Sequence, residues 1–203
     1  THRAILSKAA SQNWTVTVAD IRTAFLHAPI EEDRVVIVRP PKILTTLGLV
    51  RPGTMWKLNK ALYGLKESPR LWGLERDSKL KVFQHEVEIR GDKYRLSLER
   101  SWADPSAWKI IRTKIGKKTG KQEESEVVGV LCVYVDDLMI TAPWEVSEGV
   151  LEGIAKIWAI SKPEHLRPHE EGSVRFCGVY IVRKPNVGIL IHQGPYVKEL
   201  LRR

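Results

Sequence analysis

Apolar residues recur along this chain with a period of two in some stretches and of three to four in others, dividing it into candidate strands and helices. Residues 4–12 read as the end of a short helix. Trp14 to Ala19 alternate apolar residues with threonine until the run stops at Asp20, which puts that carboxylate at a strand end. Val35 to Val38 is again β-branched; Pro40-Pro41 and residues 47–53 break regular structure, and Met55 to Leu58 predicts a short strand. Ser68-Pro69 offers an N-cap and a first-turn proline, so a helix is predicted from there to about Phe83. In the cleanest helix Val146, Val150, Leu151, Ile154, Ile157 and Trp158 share one face, and Glu145 and Glu148 lie in the first turn, where the helix dipole favours them. Strands at about 174–183 and 188–192 and a terminal helix opened by Gly194-Pro195 complete the pattern.

The centre of the chain breaks its own rule. Val127 to Val135 is continuously apolar, Asp136-Asp137 interrupts it, and Leu138-Met139-Ile140 resumes it. Adjacent buried carboxylates repel each other and lose hydration, so something must compensate them. An exposed two-residue hairpin turn is one solution, although such turns favour Asn-Gly or Asp-Gly because they need positive φ. A divalent cation is the other: Mg²⁺ takes hard oxygen ligands and keeps waters or phosphates in its shell, so two or three protein carboxylates hold it. Asp20 is the third candidate, since antiparallel packing of its strand beside the 127–140 hairpin gathers three carboxylates at one end of a sheet.

Other local patterns carry less. Residues 113–126, with Lys114, Lys117, Lys118 and Lys121 followed by Glu123, Glu124 and Glu126, read as a solvated hairpin loop. Within it Gly116 to Gln122 is one residue short between its glycines, and lacks Ser or Thr after the lysine, for a phosphate-binding loop. His165 and His169 stand four apart, but Pro168 lies between them and no further ligand cluster accompanies them, which argues against zinc.

A chain of 203 residues holds one well-buried domain with attached pieces. Its 43% hydrophobic and 28% charged residues are globular in character, no apolar stretch is long enough to cross a bilayer, and no leader pattern opens the chain. Cys132 and Cys177 sit apart in apolar runs and suggest no disulfide framework. A net charge of +9 attracts a polyanion, either nucleic acid or an acidic membrane surface.

The motifs choose between these. Tyr134-Val135-Asp136-Asp137 is similar to the catalytic tetrad of reverse transcriptases. The ordered set of Val18-Ala-Asp-Ile-Arg-Thr-Ala-Phe-Leu-His-Ala28, then Leu58-Asn-Lys-Ala-Leu-Tyr-Gly-Leu-Lys-Glu-Ser-Pro-Arg-Leu-Trp72, then the tetrad resembles the copia family of long-terminal-repeat retrotransposons. Asp104-Pro105, a segment Phe176 to Ile181 similar to the primer-gripping strand, and Gln193 with Tyr196 extend the likeness over nearly the whole chain. The resemblance implies that Asp20 and Asp136 are the principal ligands of two Mg²⁺ ions, or of Mn²⁺, with Asp137 in support and the Ile21 carbonyl contributing. It further implies that the amides of Thr23 and Ala24 face a triphosphate, and that Phe25 excludes a ribose 2′-hydroxyl. Tyr63, Gly64 and Val135 would lie at the nucleotide, and Lys66, Tyr134, Phe176 and Gly178 at template and primer.

The expected fold is α+β: a reverse-transcriptase palm with a mainly antiparallel, ferredoxin-like sheet, helices on one face, partial fingers and the start of a thumb. It is expected as a single domain over residues 1–203, with the N-terminal fingers and the thumb truncated. Expected partners are an RNA template, a DNA or RNA primer, deoxynucleotides and other Pol regions such as integrase and ribonuclease H, with no membrane. The expected location is intracellular, in a cytoplasmic particle or the nucleus. A catalytically inactive relic that binds nucleic acid through its basic surface is the alternative. Ile160 to Pro168 departs from the family pattern and leaves the local path open.

Overall fold

The computed structural model describes residues 1–116 and 124–202. Most of the glycine-lysine run from Gly116 to Gln122, and the tip of the polar loop around it, lies outside the described residues. In chain order the elements are α1 (His2–Ser11), β1 (Thr15–Asp20), a 3-10 turn (Ala24–His27), β2 (Ile37–Val38), α2 (Lys42–Thr46), β3 (Trp56–Lys57), α3 (Ser68–Lys81), β4 (Gln84–Ile89) and β5 (Asp92–Arg100). Then follow β6 (Ala107–Lys114), β7 (Ser125–Tyr134), β8 (Asp137–Ala142), α4 (Trp144–Ala155), β9 (Glu164–Leu166), β10 (Gly172–Phe176), β11 (Val179–Lys184), β12 (Gly188–His192) and α5 (Gly194–Leu200). The chain divides into two compact units, Thr1–Arg22 with Lys79–Arg203, and Thr23–Ser78.

The larger unit is built on a seven-stranded sheet of order β4-β5-β6-β7-β8-β1-β9, antiparallel at every pairing. Because side chains alternate along a strand, this register sorts residues to two faces. Val16, Val18, Cys132, Met139 and Ala107 form one cluster with Leu6 and Ala9 of α1 and with Val174, Phe176 and Ile181 of the three-stranded sheet β10-β11-β12. Thr17 and Ile140 point the other way, toward α4: Thr17 pairs with His165 in register, the His165 ring lies edge-on to Trp144 at 4.9 Å, and the Ser147 hydroxyl donates to the Ala142 carbonyl at 3.5 Å. Helices therefore flank both faces, not one. The apolar side of α1, Leu6 and Ala9, covers the face opposite α4, and β1 is buried on both sides as a result.

Two glycines let α4 lie close on β4. A Cβ at Gly149 would stand 2.4 Å from Val87 Cγ1, and one at Gly153 2.6 Å from the Phe83 ring. The helix itself ends at Ala155, and the amides of Ile157 and Trp158 both bond back to the Ile154 carbonyl, so the last two residues of the predicted apolar face sit in the turn that closes it.

The hairpin β4-β5 carries no strong alternation of apolar residues, and it extends the sheet beyond the strands expected from pattern. The stretch 174–183, read as one strand, is two: Phe176 pairs with Val179 across a two-residue turn in which Cys177 and Gly178 have φ of 49° and 76°. The double positive φ is the geometry that tight hairpins require.

The smaller unit holds the β2-β3 hairpin, α2, the 3-10 turn and the first part of α3. The amide of Ile30 bonds to the Asn59 carbonyl at 3.1 Å and that of Ala61 to the Ala28 carbonyl at 2.9 Å. Ala24, Phe25, Ala28, Ile30, Ala61, Leu71 and Trp72 are its buried apolar residues. Ser68, expected as a helix cap, instead uses its hydroxyl to tie the preceding turn, donating to the Leu62 carbonyl at 2.6 Å and accepting from the Leu62 amide at 3.2 Å.

Candidate metal centre and its surroundings

β1 and β8 run antiparallel with Asp20 directly opposite Asp137, one step past the apolar pairs Val18–Met139 and Ala19–Leu138. Both carboxylates consequently leave the sheet on the face that carries Val18 and Met139, at its end. Asp136 reaches the same place from the turn. Tyr134 pairs with Asp137, so Val135-Asp136 is the two-residue connection and Asp137 already belongs to β8. A two-residue turn does close the hairpin, but it is Val135-Asp136 and not the poorly suited Asp136-Asp137. Val135 takes the left-handed conformation at φ 52°, a costly one for a β-branched side chain and of a kind that gathers at functional sites.

The three carboxylates each offer an oxygen within 4.8 Å of the others, and all three residues are half-buried. Among the described residues this is the one cluster of its kind. Burial, then the charges of Asp136 and Asp137, pushes the Asp20 carboxyl above its ordinary range, against a smaller opposing pull from Arg22. Asp137 is likewise raised by burial and then by Asp136, while hydrogen bonds from the amide and thiol of Cys177 and the charge of Arg175 pull it down. Compact hard-oxygen donors whose mutual repulsion a cation would relieve fit Mg²⁺ or Mn²⁺.

The backbone is tied on every side of this point. The Ile21 amide donates to the Asp136 carbonyl at 2.9 Å, the Asp20 amide to the Ser161 hydroxyl at 2.9 Å, and the Ser161 amide to the Asp20 carbonyl at 2.8 Å. Ser161 and the short edge strand β9 come from the segment where the family pattern lapses. With Lys162, Glu164, Arg175 and Phe176 they line a small cleft shared with Asp20 and Asp137. No signal in the sequence could have found Ser161, because it meets Asp20 from 141 positions away. His165, considered for zinc, hydrogen-bonds Thr17 at 3.0 Å under α4.

The remaining expected residues fall in different settings. Ile21 is fully buried, Tyr134 is exposed at the end of β7, and Gly178 is exposed in its turn. Phe176 is 4% exposed, in the core with its ring edge-on to His2. In the smaller unit Thr23 has φ 53° and opens the 3-10 turn, Ala24 is buried, and Phe25 is buried with its ring 4.4 Å from that of Tyr63. Lys66 is exposed. Gly64 is explained by its φ of 95° and not by crowding, for nothing lies within 4 Å of where a Cβ would stand. Both cysteines are free thiols, and burial pushes each to about 12.

Comparison with known proteins bears on the same residues. The family model described as reverse transcriptase (RNA-dependent DNA polymerase) matches residues 2–92, which include Asp20 and the 58–72 motif. The Retrovirus-related Pol polyprotein from transposon RE1 of Arabidopsis thaliana is 28% identical over 202 residues, 99% of this chain and 11% of the relative. That from transposon RE2 of the same plant is 26% identical over 202 residues, again 99% of this chain and 11% of the relative. The corresponding polyprotein from transposon TNT 1-94 of Nicotiana tabacum is 42% identical over 79 residues, 39% of this chain and 6% of the relative. The chain thus spans about a tenth of the full-length relatives it matches along its whole course. No solved structure matches it significantly. Three motifs in order, a carboxylate cluster built by two of them, and relatives aligned from end to end converge on one likeness: the chain is similar along its whole course to the reverse-transcriptase region of copia-type retrotransposon Pol polyproteins.

Proposed function

We propose that this chain is the palm-centred core of an RNA-directed DNA polymerase that extends a primer by two-metal-ion nucleotidyl transfer. The observation that carries the reading is the meeting of Asp20, Asp136 and Asp137 within 4.8 Å at one end of an antiparallel sheet. In the reaction the primer O3′ forms a bond to the α-phosphorus of a deoxynucleoside triphosphate, the α–β phosphoanhydride bond breaks, and pyrophosphate leaves. Bound Mg²⁺ or Mn²⁺ would supply positive charge that acidifies the 3′-hydroxyl and neutralises the leaving group. Asp20 and Asp136 would hold the ions, with Asp137 and the Ile21 carbonyl in support. The amides of Thr23 and Ala24 would donate to the triphosphate, Phe25 would select against a ribose, and Tyr63, Gly64 and Val135 would border the nucleotide. Template and primer contacts would come from Lys66, Tyr134 and the turn at Gly178. At Phe176 any such contact would be through backbone, because the ring is buried.

Substrates and partners follow as part of the proposal: an RNA template, a primer, deoxynucleotides and neighbouring Pol regions, in an intracellular particle or the nucleus. Among the described residues no helix is long and apolar enough to cross a membrane.

The test is primer extension on an RNA template with Mg²⁺, by a polypeptide that contains this chain within its longer polymerase region, beside Asp136→Asn. Extension by the parent and none by the variant is expected. Equal extension by both would remove the catalytic assignment. Template binding without extension by either would favour a basic nucleic-acid-binding relic.

A further inference from the structure

The segment that leads into β9 falls out of step with β1 at the point that carries Asp20. Val18 pairs with Glu164 and Ile21 bridges Ile160, so the two residues between them on one chain face three on the other. This is a β-bulge, a device that re-aims side chains beside functional sites. Its extra residue lies in Lys162-Pro163, and Pro163 has no amide to give to a ladder. Next to it Asp20 stands opposite Ser161. In a regular hydrogen-bonded antiparallel pair both bonds run from a backbone amide to a backbone carbonyl. One bond here is of that kind, from the Ser161 amide to the Asp20 carbonyl at 2.8 Å. The other is not: the Asp20 amide donates to the Ser161 hydroxyl at 2.9 Å, so a side-chain oxygen takes the place of a carbonyl. The neighbouring amides are held from both sides, Ile21 by the Asp136 carbonyl and Arg22 by the Ala159 carbonyl, each at 2.9 Å. Ser161 also lines the small cleft that Asp20 and Asp137 share.

We propose that Ser161 is a positioning residue for the metal centre, its hydroxyl fixing the backbone of Asp20 at the bulge so that this carboxylate meets those of Asp136 and Asp137 about a divalent cation. This rests on the reading of the three aspartates as a metal site. Alanine at position 161 leaves the Asp20 amide without its acceptor, and a half-buried amide then shifts to find another. Threonine keeps a hydroxyl on the same carbon and so keeps the bond.

The measurement is direct binding of Mn²⁺ to the 203-residue chain, followed by the electron paramagnetic resonance of the free ion. Parent, Ser161→Ala, Ser161→Thr and Asp136→Asn are compared, with circular dichroism melts to confirm folding. Gly149→Ala, which crowds α4 against β4 away from the carboxylates, controls for a general loosening of the sheet. Removing a partner that orients a metal ligand weakens affinity by about 10-fold to 100-fold. The expected result is weakening of about 10-fold in Ser161→Ala, the low end because the bond acts through backbone, with Ser161→Thr and Gly149→Ala within about 3-fold of the parent. Ser161→Ala binding as tightly as the parent, while Asp136→Asn does not bind, overturns the role of Ser161 and leaves the metal site standing. Ser161→Thr or Gly149→Ala as weak as Ser161→Ala also overturns it, since packing and not the hydroxyl would then matter. No Mn²⁺ bound by the parent overturns the metal reading and this inference with it.

Discussion

At the scale of single residues the site is a set of local costs accepted at one point. Val135 holds a left-handed φ of 52° at the tip of the carboxylate hairpin, a conformation that costs an L-residue about 1–2 kcal/mol. Val135→Gly should therefore raise the unfolding free energy of the metal-free chain, read from urea titration, by up to about 1 kcal/mol after glycine's extra unfolded-state entropy is deducted. It should also slow incorporation, because the turn that carries Asp136 becomes free to move. A variant that is more stable and equally fast would separate the strain from the function. Asp20 and Asp137 carry a second cost. Their carboxyls are raised above the ordinary 3.8, chiefly by burial. The contribution of such groups to stability is fully present below the unfolded value and is lost as pH rises through the folded one. Stability of the metal-free chain should fall as pH rises from about 4 toward 7, and Asp137→Asn should flatten that fall. Urea titrations across this range check it, and an unchanged slope would show the carboxylate to be unstrained.

At the scale of elements, close approach of backbones decides what the sheet can carry. α4 lies against β4 at Gly149 and Gly153, where added Cβ atoms would stand 2.4 Å and 2.6 Å from Val87 and the Phe83 ring. Within a helix Gly→Ala ordinarily stabilises by about 1 kcal/mol. Here Gly149→Ala should destabilise by about 1–3 kcal/mol, because the methyl group must displace a packed strand. Denaturant unfolding reads the sign directly, and stabilisation would mean that the strand yields. The helix was plain from its apolar period, but its distance from the sheet was not, since small residues mark close packing only once the facing strand is known. The same limit applies to β4, β5 and β9: half-exposed or edge strands with little alternation give a pattern too weak to separate from loop, and pairing with a neighbour supplies their hydrogen bonds.

At the scale of the whole molecule, charge is the dominant property. The net charge is +9, and Arg34, Arg39, Lys42, Arg51, Lys57, Lys60 and Lys66 follow one another with no Asp or Glu between them. Binding to an RNA–DNA hybrid should weaken linearly in log affinity against log salt, irrespective of sequence. Replacing the exposed Lys57 and Lys60 by glutamine should lower that slope by about 0.9 for each phosphate that is no longer neutralised. Fluorescence anisotropy at several salt concentrations measures it; an unchanged slope would mean that other basic residues meet the phosphates.

Much of the site was readable in one dimension because its parts are local. An apolar run broken by two aspartates, a strand that stops at Asp20 and an ordered set of motifs are properties of neighbouring residues, and they pointed to the carboxylate cluster before any fold was known. What stayed hidden depends on residues far apart in the chain. The turn begins at Val135 because Tyr134 pairs with Asp137. Ser161 holds the Asp20 backbone because β9 pairs with β1 and brings its segment to the end of that strand. α1 covers a second face because Leu6 and Ala9 complete a core drawn from two sheets. Periodicity reports which side of an element is apolar. Which partner covers that side, and which distant donor reaches a carboxylate, is settled only when burial and backbone pairing are satisfied together across the folded chain.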